Sequence, residues 1–291
     1  MTPKRSYRIA HLSDFHLVGQ DEDFDRCLAL ADDARDQGAE HLVVSGDLVE
    51  SGEMAVLRAF VAGLKRRGWA GSNRLTIVPG NHDIFPFTKR KIPTLRRPTS
   101  IFDDFVAITR GSRTGKGFRS LIRGSAYPFG KVLNEHVVLA GVDTTRNGQF
   151  NPLQWASGEF PGEQMGAVEE FFARWGHVPH RVLVMHHHPW AEVFEGGGMI
   201  EQNFVDPPPE EVFEWIEDFS QATLVLCGHV HRKDGIEIRR FGRRGKILRA
   251  GTAGGVDDEE NGQKRRVYHL LDLARNGSVR IRAQEFRDRD L

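Results

Sequence analysis

The sequence is poor in cysteine and has no long apolar run. It has two cysteines in 291 residues, Cys27 and Cys227, and each lies inside an apolar segment. Such positions predict two buried thiols rather than a disulfide or a thiolate metal site. No apolar stretch approaches the roughly 20 residues that a transmembrane helix needs. The basic start, residues 1–10, is not followed by an apolar segment, which argues against a secretory signal. We therefore expect a cytoplasmic protein with no membrane partner.

The sequence also has no excess of charge of either sign. Its 40 basic and 40 acidic side chains give a formal net charge of zero, which gives the chain no global attraction to nucleic acid or to an anionic membrane. The apolar fraction of 39% is ordinary for a globular protein. We interpret residues 1–291 as one domain, long enough to bury a substantial core. A homo-oligomer is compatible with this composition, which does not fix the number of subunits.

Short apolar runs rich in β-formers alternate with helical patterns through most of the chain, and this alternation predicts βαβ units. The predicted strands are 7–13, 42–45, 75–78, 137–142, 181–185 and 224–227. The predicted helices are 24–37, 53–67, 163–175 and 210–219. Residues 85–123, rich in Pro, Gly and basic side chains, predict an insertion or long loop with one short helix near 101–108, and residues 192–209 predict a loop. Residues 232–291 predict a strand-rich part, with antiparallel strands at 236–240, 247–250, 267–273 and 279–281.

Five short polar motifs each follow a predicted strand. They are Asp14-Phe15-His16, Gly46-Asp47, Gly80-Asn81-His82-Asp83, His186-His187-His188-Pro189 and Gly228-His229-Val230-His231. Each motif alone is also typical of an ordinary turn, but ligands collect at the carboxyl ends of strands in α/β sheets, so five strand ends predict one cleft. Carboxylate, imidazole and amide oxygen suit borderline or hard divalent ions. Two such ions, about 3.5–4 Å apart, can share a carboxylate and clamp a phosphate.

This ordered set of motifs, over about residues 8–255, resembles the calcineurin-like metallophosphoesterase superfamily. The resemblance implies an α/β fold of the four-layer αββα type, in which two facing mixed β-sheets are flanked by helices. It implies a metal-dependent phosphoesterase that binds two divalent or trivalent ions, Mn, Fe or Zn, and a phosphate-ester substrate. The reaction it implies is attack on phosphorus by a hydroxide that bridges the two ions.

The resemblance also assigns roles to individual residues. It gives Asp14, His16 and His231 to the first metal, Asn81, His187 and His229 to the second, and Asp47 to both as a bridge. It makes His82 a catalytic residue that assists the leaving oxygen, and Asp83 the carboxylate that orients His82. The family ligand usually lies two residues before the proline, which favours His187 over His186. His188 is then expected in or near the substrate pocket, together with Asn81 and His82.

The substrate is predicted from finer similarities. Residues 158–164, the His-His-Pro motif and the sequence from Leu226 to His231 most resemble the class III cyclic-nucleotide phosphodiesterases. We therefore expect a phosphodiester substrate, with a cyclic nucleotide as one candidate and another small phosphodiester as an equal one. Aromatic side chains that could stack on a base are Phe150, Trp155, Trp190 and Phe194, although such residues more often anchor a core or a loop.

Other functions stay open at this point. Ten basic residues of the 85–123 segment, opposed only by Asp103 and Asp104, favour a nuclease if they line the cleft and a solvated loop if they do not. They are Lys89, Arg90, Lys91, Arg96, Arg97, Arg110, Arg113, Lys116, Arg119 and Arg123. A phosphomonoesterase is a further alternative. A metal-stabilised binding scaffold without turnover is disfavoured because every ligand position and His82 are filled.

Overall fold

Two β-sheets face each other in the computed structural model of the chain, and helices cover both outer faces. The structure describes residues 6–86, 98–145, 157–190, 192–193, 200–201, 204–230, 236–241, 245–258 and 263–287. The helices are α1 Glu22–Asp36, α2 Met54–Arg66, α3 Asn81–Ile84, α4 Thr99–Ile108, α5 Gly162–Arg174 and α6 Pro209–Asp218. None of these helices combines the length and apolarity needed to cross a bilayer.

The strands fall into two large sheets and two small ribbons. The strands are β1 Ser6–Leu12, β2 His41–Val44, β3 Leu75–Ile77, β4 Phe118–Ser120, β5 Phe129–Asn134, β6 Val137–Gly141, β7 Gly158–Glu159, β8 His180–Val184, β9 Glu192–Val193, β10 Ile200–Glu201, β11 Phe204–Asp206, β12 Leu224–Cys227, β13 Ile236–Phe241, β14 Gly245–Ala250, β15 Val256–Asp258, β16 Gln263–Ala274 and β17 Val279–Arg287. The first sheet has the order β15-β16-β1-β2-β3, with β17 also paired to β16, and the second has the order β13-β14-β12-β8-β6-β5-β4.

Alternating side chains of the strands build three apolar layers. In β1, Ile9 points between the sheets while Ala10 packs under the helices, as the two-residue period of a strand requires. Helices α1, α2 and α4 cover the first sheet, and α5 and α6 cover the second. The N-terminus of α1 is fixed by Asp21, whose side chain accepts a hydrogen bond from the Phe24 N–H at 3.1 Å. This arrangement confirms the predicted four-layer αββα fold.

The predicted helices and the predicted strands before residue 260 lie within two residues of elements in the structure. Strand β5 was not predicted, because Lys131 interrupts its apolar pattern while lying fully buried in the structure. The prediction that the C-terminal strands are all antiparallel is wrong for β14, which pairs in parallel with β12. In the segment predicted as an insertion or long loop at 85–123, the described residues 98–123 contain α4, at the position of the predicted short helix, a 3-10 turn and β4.

The two sheets also share a small buried polar cluster. Lys131 Nζ from the second sheet donates hydrogen bonds to Leu75 O at 2.7 Å and to Thr76 Oγ1 at 2.8 Å in the first. His41 Nε2 lies 2.8 Å from the same Thr76 hydroxyl. Burial, followed by the charge of Lys131, lowers the pKa of the His41 imidazole to about 3. This cluster makes the contact between the sheets sensitive to protonation.

We expect the free energy of unfolding of the metal-free protein to fall as the pH is lowered from 7 toward 4. His41 takes up a proton near pH 6.5 when unfolded and only near pH 3 when folded, so the unfolded chain binds more protons between these values. Stability is complete above the unfolded pKa and is lost at a rate of up to about 1.4 kcal/mol per pH unit below it. Urea unfolding at a series of pH values measures this slope.

The variant His41→Asn should flatten the slope, whereas His177→Asn, at an exposed position, should leave it unchanged. Equal slopes in His41→Asn and the unaltered protein would contradict the assignment.

Candidate metal centre

The first polar motif is held against the second by backbone hydrogen bonds. Asp47 O accepts the N–H groups of Phe15 at 2.8 Å and His16 at 3.1 Å, and Gly46 O accepts that of Asp14 at 3.1 Å. The loop after β14 also holds the first motif, since Thr252 Oγ1 donates a hydrogen bond to Asp14 O at 2.6 Å. The carboxyl ends of β1 and β2 are therefore tied into one rigid edge.

Glycines let the motif loops approach more closely than any side chain would permit. A Cβ at Gly80 would overlap the carboxylate of Asp47, and a Cβ at Gly46 would lie 2.5 Å from His186 Nδ1. A Cβ at Gly228 would overlap Ser13 Oγ. Each of these glycines directly precedes a residue of the site. Glycine is required at these positions because the backbone of one loop lies against a side chain of another, which leaves no space for a Cβ atom.

Four imidazole, amide and carboxylate groups converge where these loops meet. His186 Nε2 lies 3.2 Å from Asp47 Oδ2 and 3.1 Å from Asn81 Oδ1. His229 Nδ1 lies 3.1 Å from the same Asn81 oxygen and 3.2 Å from His186 Nε2. The first three of these residues are buried. Their potential ligand atoms therefore face one another around a small volume.

A second group of potential ligands adjoins the first. His16 Nε2 lies 3.8 Å from Asp47 Oδ2 and 3.9 Å from Asp14 Oδ1. Asp14, Asp47 and His186 present atoms within 4.8 Å of one another, as do His16, Asp47 and His82. Asp47 belongs to both sets, so its carboxylate lies between the two groups.

The backbone at the site is strained. Among the described residues, five non-glycine positions have φ in the left-handed region, and four belong to the predicted motifs: Asp14 at 57°, His16 at 49°, Asp47 at 51° and His229 at 82°. Such a conformation costs about 1–3 kcal/mol at each residue and persists only where the surroundings impose it. Its concentration here indicates that the loops are shaped for a site rather than for stability.

The structure places His186, and not the predicted His187, against Asp47 and Asn81. His186 Nδ1 lies 2.7 Å from Ser45 O, which leaves Nε2 turned toward the carboxylate. His187 Nδ1 instead lies 2.8 Å from Thr144 Oγ1. His187 nevertheless lies with His186 and His229 in a group of side chains that could hold a metal ion, so its assignment as a ligand stays a prediction and His186 is a further candidate.

The imidazole of His82 contacts Glu50, and the role of Asp83 in orienting His82 stays a prediction. Asp83 is buried, and its two carboxylate oxygens accept the N–H groups of Leu48, Val49 and Gly80 at 2.8–3.1 Å. Asp83 thus fixes the backbone of the second and third motifs.

Glu50 was not identified from the sequence. His82 Nδ1 lies 2.8 Å from Glu50 O and 3.6 Å from Glu50 Oε2, and Glu50 Oε2 lies 2.7 Å from His16 Nδ1. One residue therefore orients two imidazoles of the site, in the way that outer carboxylates orient metal-ligating histidines. Its position three residues after Asp47 was the available signal.

The predicted substrate residue His188 lies in a buried cluster. His188 Nε2 is 3.0 Å from Arg249 Nη1, and the ring stacks on Trp190 with centroids 4.3 Å apart. His188 and Arg249 are almost completely buried. Because a guanidinium only donates, His188 Nε2 is an acceptor. The His188 ring centroid lies 6.4 Å from that of His229, so His188 adjoins the candidate centre, and its role in substrate binding stays a prediction.

Burial and neighbouring charges shift the protonation of the central groups. Burial alone would raise the pKa of Asp47, but His186 and the adjacent imidazoles hold it well below its usual range. Burial would likewise lower the pKa of His186, but the Asp47 carboxylate raises it to about 9. Burial and the neighbouring imidazoles His187 and His186 lower the pKa of His229 well below its usual value. A metal ion that binds His186 must therefore displace a proton.

Burial and the Asp47 charge raise the pKa of Asp83 to about 8. The three backbone N–H donors to both of its oxygens favour the ionised form, and bound cations at Asp47 would favour it further. We therefore interpret Asp83 as a carboxylate in the metal-loaded protein.

Several predicted residues lie outside the described part of the chain. They are His231, the aromatic residues Phe150, Trp155 and Phe194, and the basic residues Lys89, Arg90, Lys91, Arg96 and Arg97. Of the other basic residues, Arg113 is buried with Nη2 donating to Val106 O, so it is a structural residue. Arg110, Lys116, Arg119 and Arg123 are exposed.

The converging groups suit a pair of metal ions. They are carboxylate, neutral imidazole and amide oxygen, with no described thiolate among them, since Cys27 and Cys227 are buried in the cores. A carboxylate shared between two ligand sets is the arrangement of dinuclear centres. Fold and site together therefore define a metal-dependent phosphoesterase.

Comparison with known proteins agrees with this class. A family profile described as calcineurin-like phosphoesterase matches residues 7–233, and the chain belongs to this family, which implies two divalent metal ions. No curated protein sequence matches the chain.

Solved structures of low identity share the fold. A dimetal phosphatase from Danio rerio has a TM-score of 0.65 and 11% identity, with 97% of this chain and 98% of that chain covered. A purple acid phosphatase from yellow lupin (Lupinus luteus) seeds has a TM-score of 0.61 and 11% identity, with 98% and 52% covered. GAP50, the anchor in the inner membrane complex of Plasmodium, has a TM-score of 0.59 and 10% identity, with 98% and 85% covered.

We expect Gly80→Ala to lower metal content and turnover together, because the added Cβ would overlap the Asp47 carboxylate and push apart the second and third motifs. Metal content by elemental analysis after dialysis, with circular dichroism to check folding, measures the effect. Gly166→Ala, within α5 where a Cβ meets nothing within 4 Å, is the matched control and should retain metal. Full metal content in Gly80→Ala would show that the close approach is dispensable.

Proposed function

We propose that this phosphoesterase hydrolyses a small phosphodiester, with a cyclic nucleotide as the first candidate, at a centre that binds two metal ions. The proposed ligands are Asp14, His16 and His231 for the first ion, Asn81, His186 and His229 for the second, and Asp47 for both. This set retains the predicted ligands except that His186 takes the position expected of His187.

The position of Asp47 carries the two-metal proposal. Its Oδ2 atom lies 3.2 Å from His186 Nε2 and 3.8 Å from His16 Nε2, and its Oδ1 atom accepts the His82 N–H at 2.9 Å. One carboxylate thus faces imidazoles from both ligand sets while its own orientation is fixed. A single ion would leave one of these sets without a cation, whereas two ions use both.

The chain's own residues supply orientation and proton transfer. When bound, the two ions supply positive charge for the phosphate oxygens and activate water as the nucleophile. His82 is partly exposed, with 18% of its side chain accessible, so it lies where a substrate can reach it. Its Nδ1 atom is engaged by Glu50, so Nε2 is the atom assigned to the leaving oxygen.

The preference for a phosphodiester is supported by the position of residues 158–164, which are among the residues that most resemble the class III cyclic-nucleotide phosphodiesterases. Residues 158–164 include β7, and Glu159 N donates to Thr144 O at 3.0 Å. Thr144 in turn contacts His187, beside His186 and His229. The segment that most resembles cyclic-nucleotide phosphodiesterases is therefore built into the wall of the metal centre. Of the described basic residues in 98–123, Arg113 is buried, and the exposed ones are left to the salt dependence of the test below.

The test is a substrate panel for the protein loaded with manganese. The panel contains cyclic nucleotides, a chromogenic phosphodiester, a phosphomonoester, and single- and double-stranded DNA and RNA. We expect the highest kcat/KM on a small phosphodiester and almost none in Asp47→Asn, which loses the shared carboxylate charge and should weaken both metal sites.

A preference for polynucleotides that falls steeply with salt would favour the nuclease instead. A preference for the monoester would overturn the phosphodiester assignment while leaving the metal centre intact. Near-normal turnover in Asp47→Asn would contradict the bridging role.

We expect His82→Ala to keep both metals and lose turnover, because the missing imidazole assists the leaving oxygen. General acid catalysis contributes about 10²- to 10⁴-fold, so the loss should be large for an alkoxide leaving group and small for nitrophenolate. Rates across esters of graded leaving-group pKa, with metal content measured in parallel, separate these effects. His136→Ala, far from the motif loops near Arg275, is the control. A drop in bound metal in His82→Ala would make His82 a ligand.

A further inference from the structure

Two neighbouring histidines of the fourth motif face the second metal position, where the family pattern uses one. We propose that His187 is an additional ligand of the second metal, so that this ion is held by the three imidazoles of His186, His187 and His229. This inference rests on the two-metal centre of the proposed function and adds a ligand to it.

The three imidazoles are already close enough to share an ion. One ring nitrogen of each residue lies within 4.8 Å of the others. The His187 ring centroid lies 4.5 Å from that of His229 and 4.9 Å from that of His186. Two nitrogens bound to one zinc at about 2.1 Å each are at most about 4.2 Å apart, so a small movement of these side chains brings all three into range.

Thr144 determines which nitrogen of His187 is used. Thr144 Oγ1 lies 2.8 Å from His187 Nδ1 and 3.4 Å from the His187 backbone N. Because Nδ1 is held by the hydroxyl, Nε2 is the nitrogen assigned to the ion. This is the arrangement in which an outer hydrogen bond fixes the ring and the tautomer of a metal-ligating histidine.

The loop that carries Thr144 is rigid enough for this role. Gln164 from α5 donates its Nε2 to Asp143 O at 2.8 Å and accepts the Asp143 N–H with Oε1 at 3.1 Å. Asp143 Oδ1 accepts both the N–H and the hydroxyl of Thr145, at 2.9 and 2.6 Å. Thr144 and His187 are both fully buried. The hydroxyl is therefore held in place by both of its neighbours along the chain.

An additional imidazole changes which metals the second site prefers. The first ligand set includes the carboxylates of Asp14 and Asp47 and is richer in oxygen, whereas the second becomes rich in nitrogen. Imidazole suits zinc and iron, while carboxylate and water suit manganese. The two positions should therefore differ in metal preference, with the nitrogen-rich one selecting zinc over manganese.

The test measures zinc and manganese binding by calorimetry on the metal-free protein, with visible spectra of the cobalt(II)-loaded protein as a report of coordination. In His187→Asn we expect the zinc affinity of one site to fall, its preference for zinc over manganese to shrink, and the cobalt spectrum to change. In Thr144→Val, which removes the orienting hydroxyl, we expect a fall in zinc affinity of about 10- to 100-fold. Thr144→Ser, which keeps the hydroxyl, should restore it, and His136→Asn should bind as the unaltered protein does.

The outcomes separate this inference from the proposed function. Two bound ions in the unaltered protein, with unchanged zinc affinity and cobalt spectrum in folded His187→Asn, would overturn the additional ligand and leave the two-metal centre standing. If that variant instead lost only inhibition by inorganic phosphate, His187 would be a substrate-binding residue and not a ligand. Fewer than two ions in the unaltered protein would overturn the proposed function itself.

Discussion

The arrangement of the site depends on one buried carboxylate. The backbone oxygen of Asp47 accepts hydrogen bonds from the first motif, and its Oδ1 atom accepts one from the backbone N–H of His82 in the third. Its Oδ2 atom faces His186 of the fourth motif. Four strand-end loops therefore meet at a single residue. An anion enclosed in this way needs compensation; the surrounding imidazoles supply part of it, and a pair of cations would supply the rest. Asp47 thus holds the motif loops together and also supplies the carboxylate on which the proposed metal centre depends.

This closure places demands on the backbone that compete with stability. Asp14, His16, Asp47 and His229 all adopt left-handed φ values, and Gly80 and Gly228 lie so close to neighbouring carboxylates that no other residue fits. Strain of this kind persists because packed sheets and helices over-determine the loops. We infer that the strong apolar layers on both sides of each sheet are the condition under which such a site can exist, and that ion binding recovers part of the stability.

The sequence predicted the layers and the motif positions, because apolar periodicity and strand-end glycines are local signals. It did not predict Glu50, Thr144 or the choice of His186, because each depends on contacts between distant loops. Glu50 meets His16 and His82 across 34 and 32 positions in the chain, and Thr144 meets His187 across 43. The contacts of Asp83 with the backbone of Leu48 and Val49 were not predicted for the same reason, since these residues lie 35 and 34 positions away in the chain.

Each sheet contributes one half of the centre, so the spacing of the two halves is set by the packing between the sheets. Asp47 and Asn81 follow strands of the first sheet, and His186 and His229 follow strands of the second. Every distance from the first pair of residues to the second pair therefore depends on how the two sheets pack together. The polar cluster of Lys131, Thr76 and His41 belongs to that interface, and so does the hydrogen bond from His186 Nδ1 to Ser45 O. A ligand pair that spans two sheets is sensitive to shifts of a fraction of an ångström that either sheet alone would tolerate. Ion binding and the docking of the sheets must therefore stabilise each other, because each fixes the same separation.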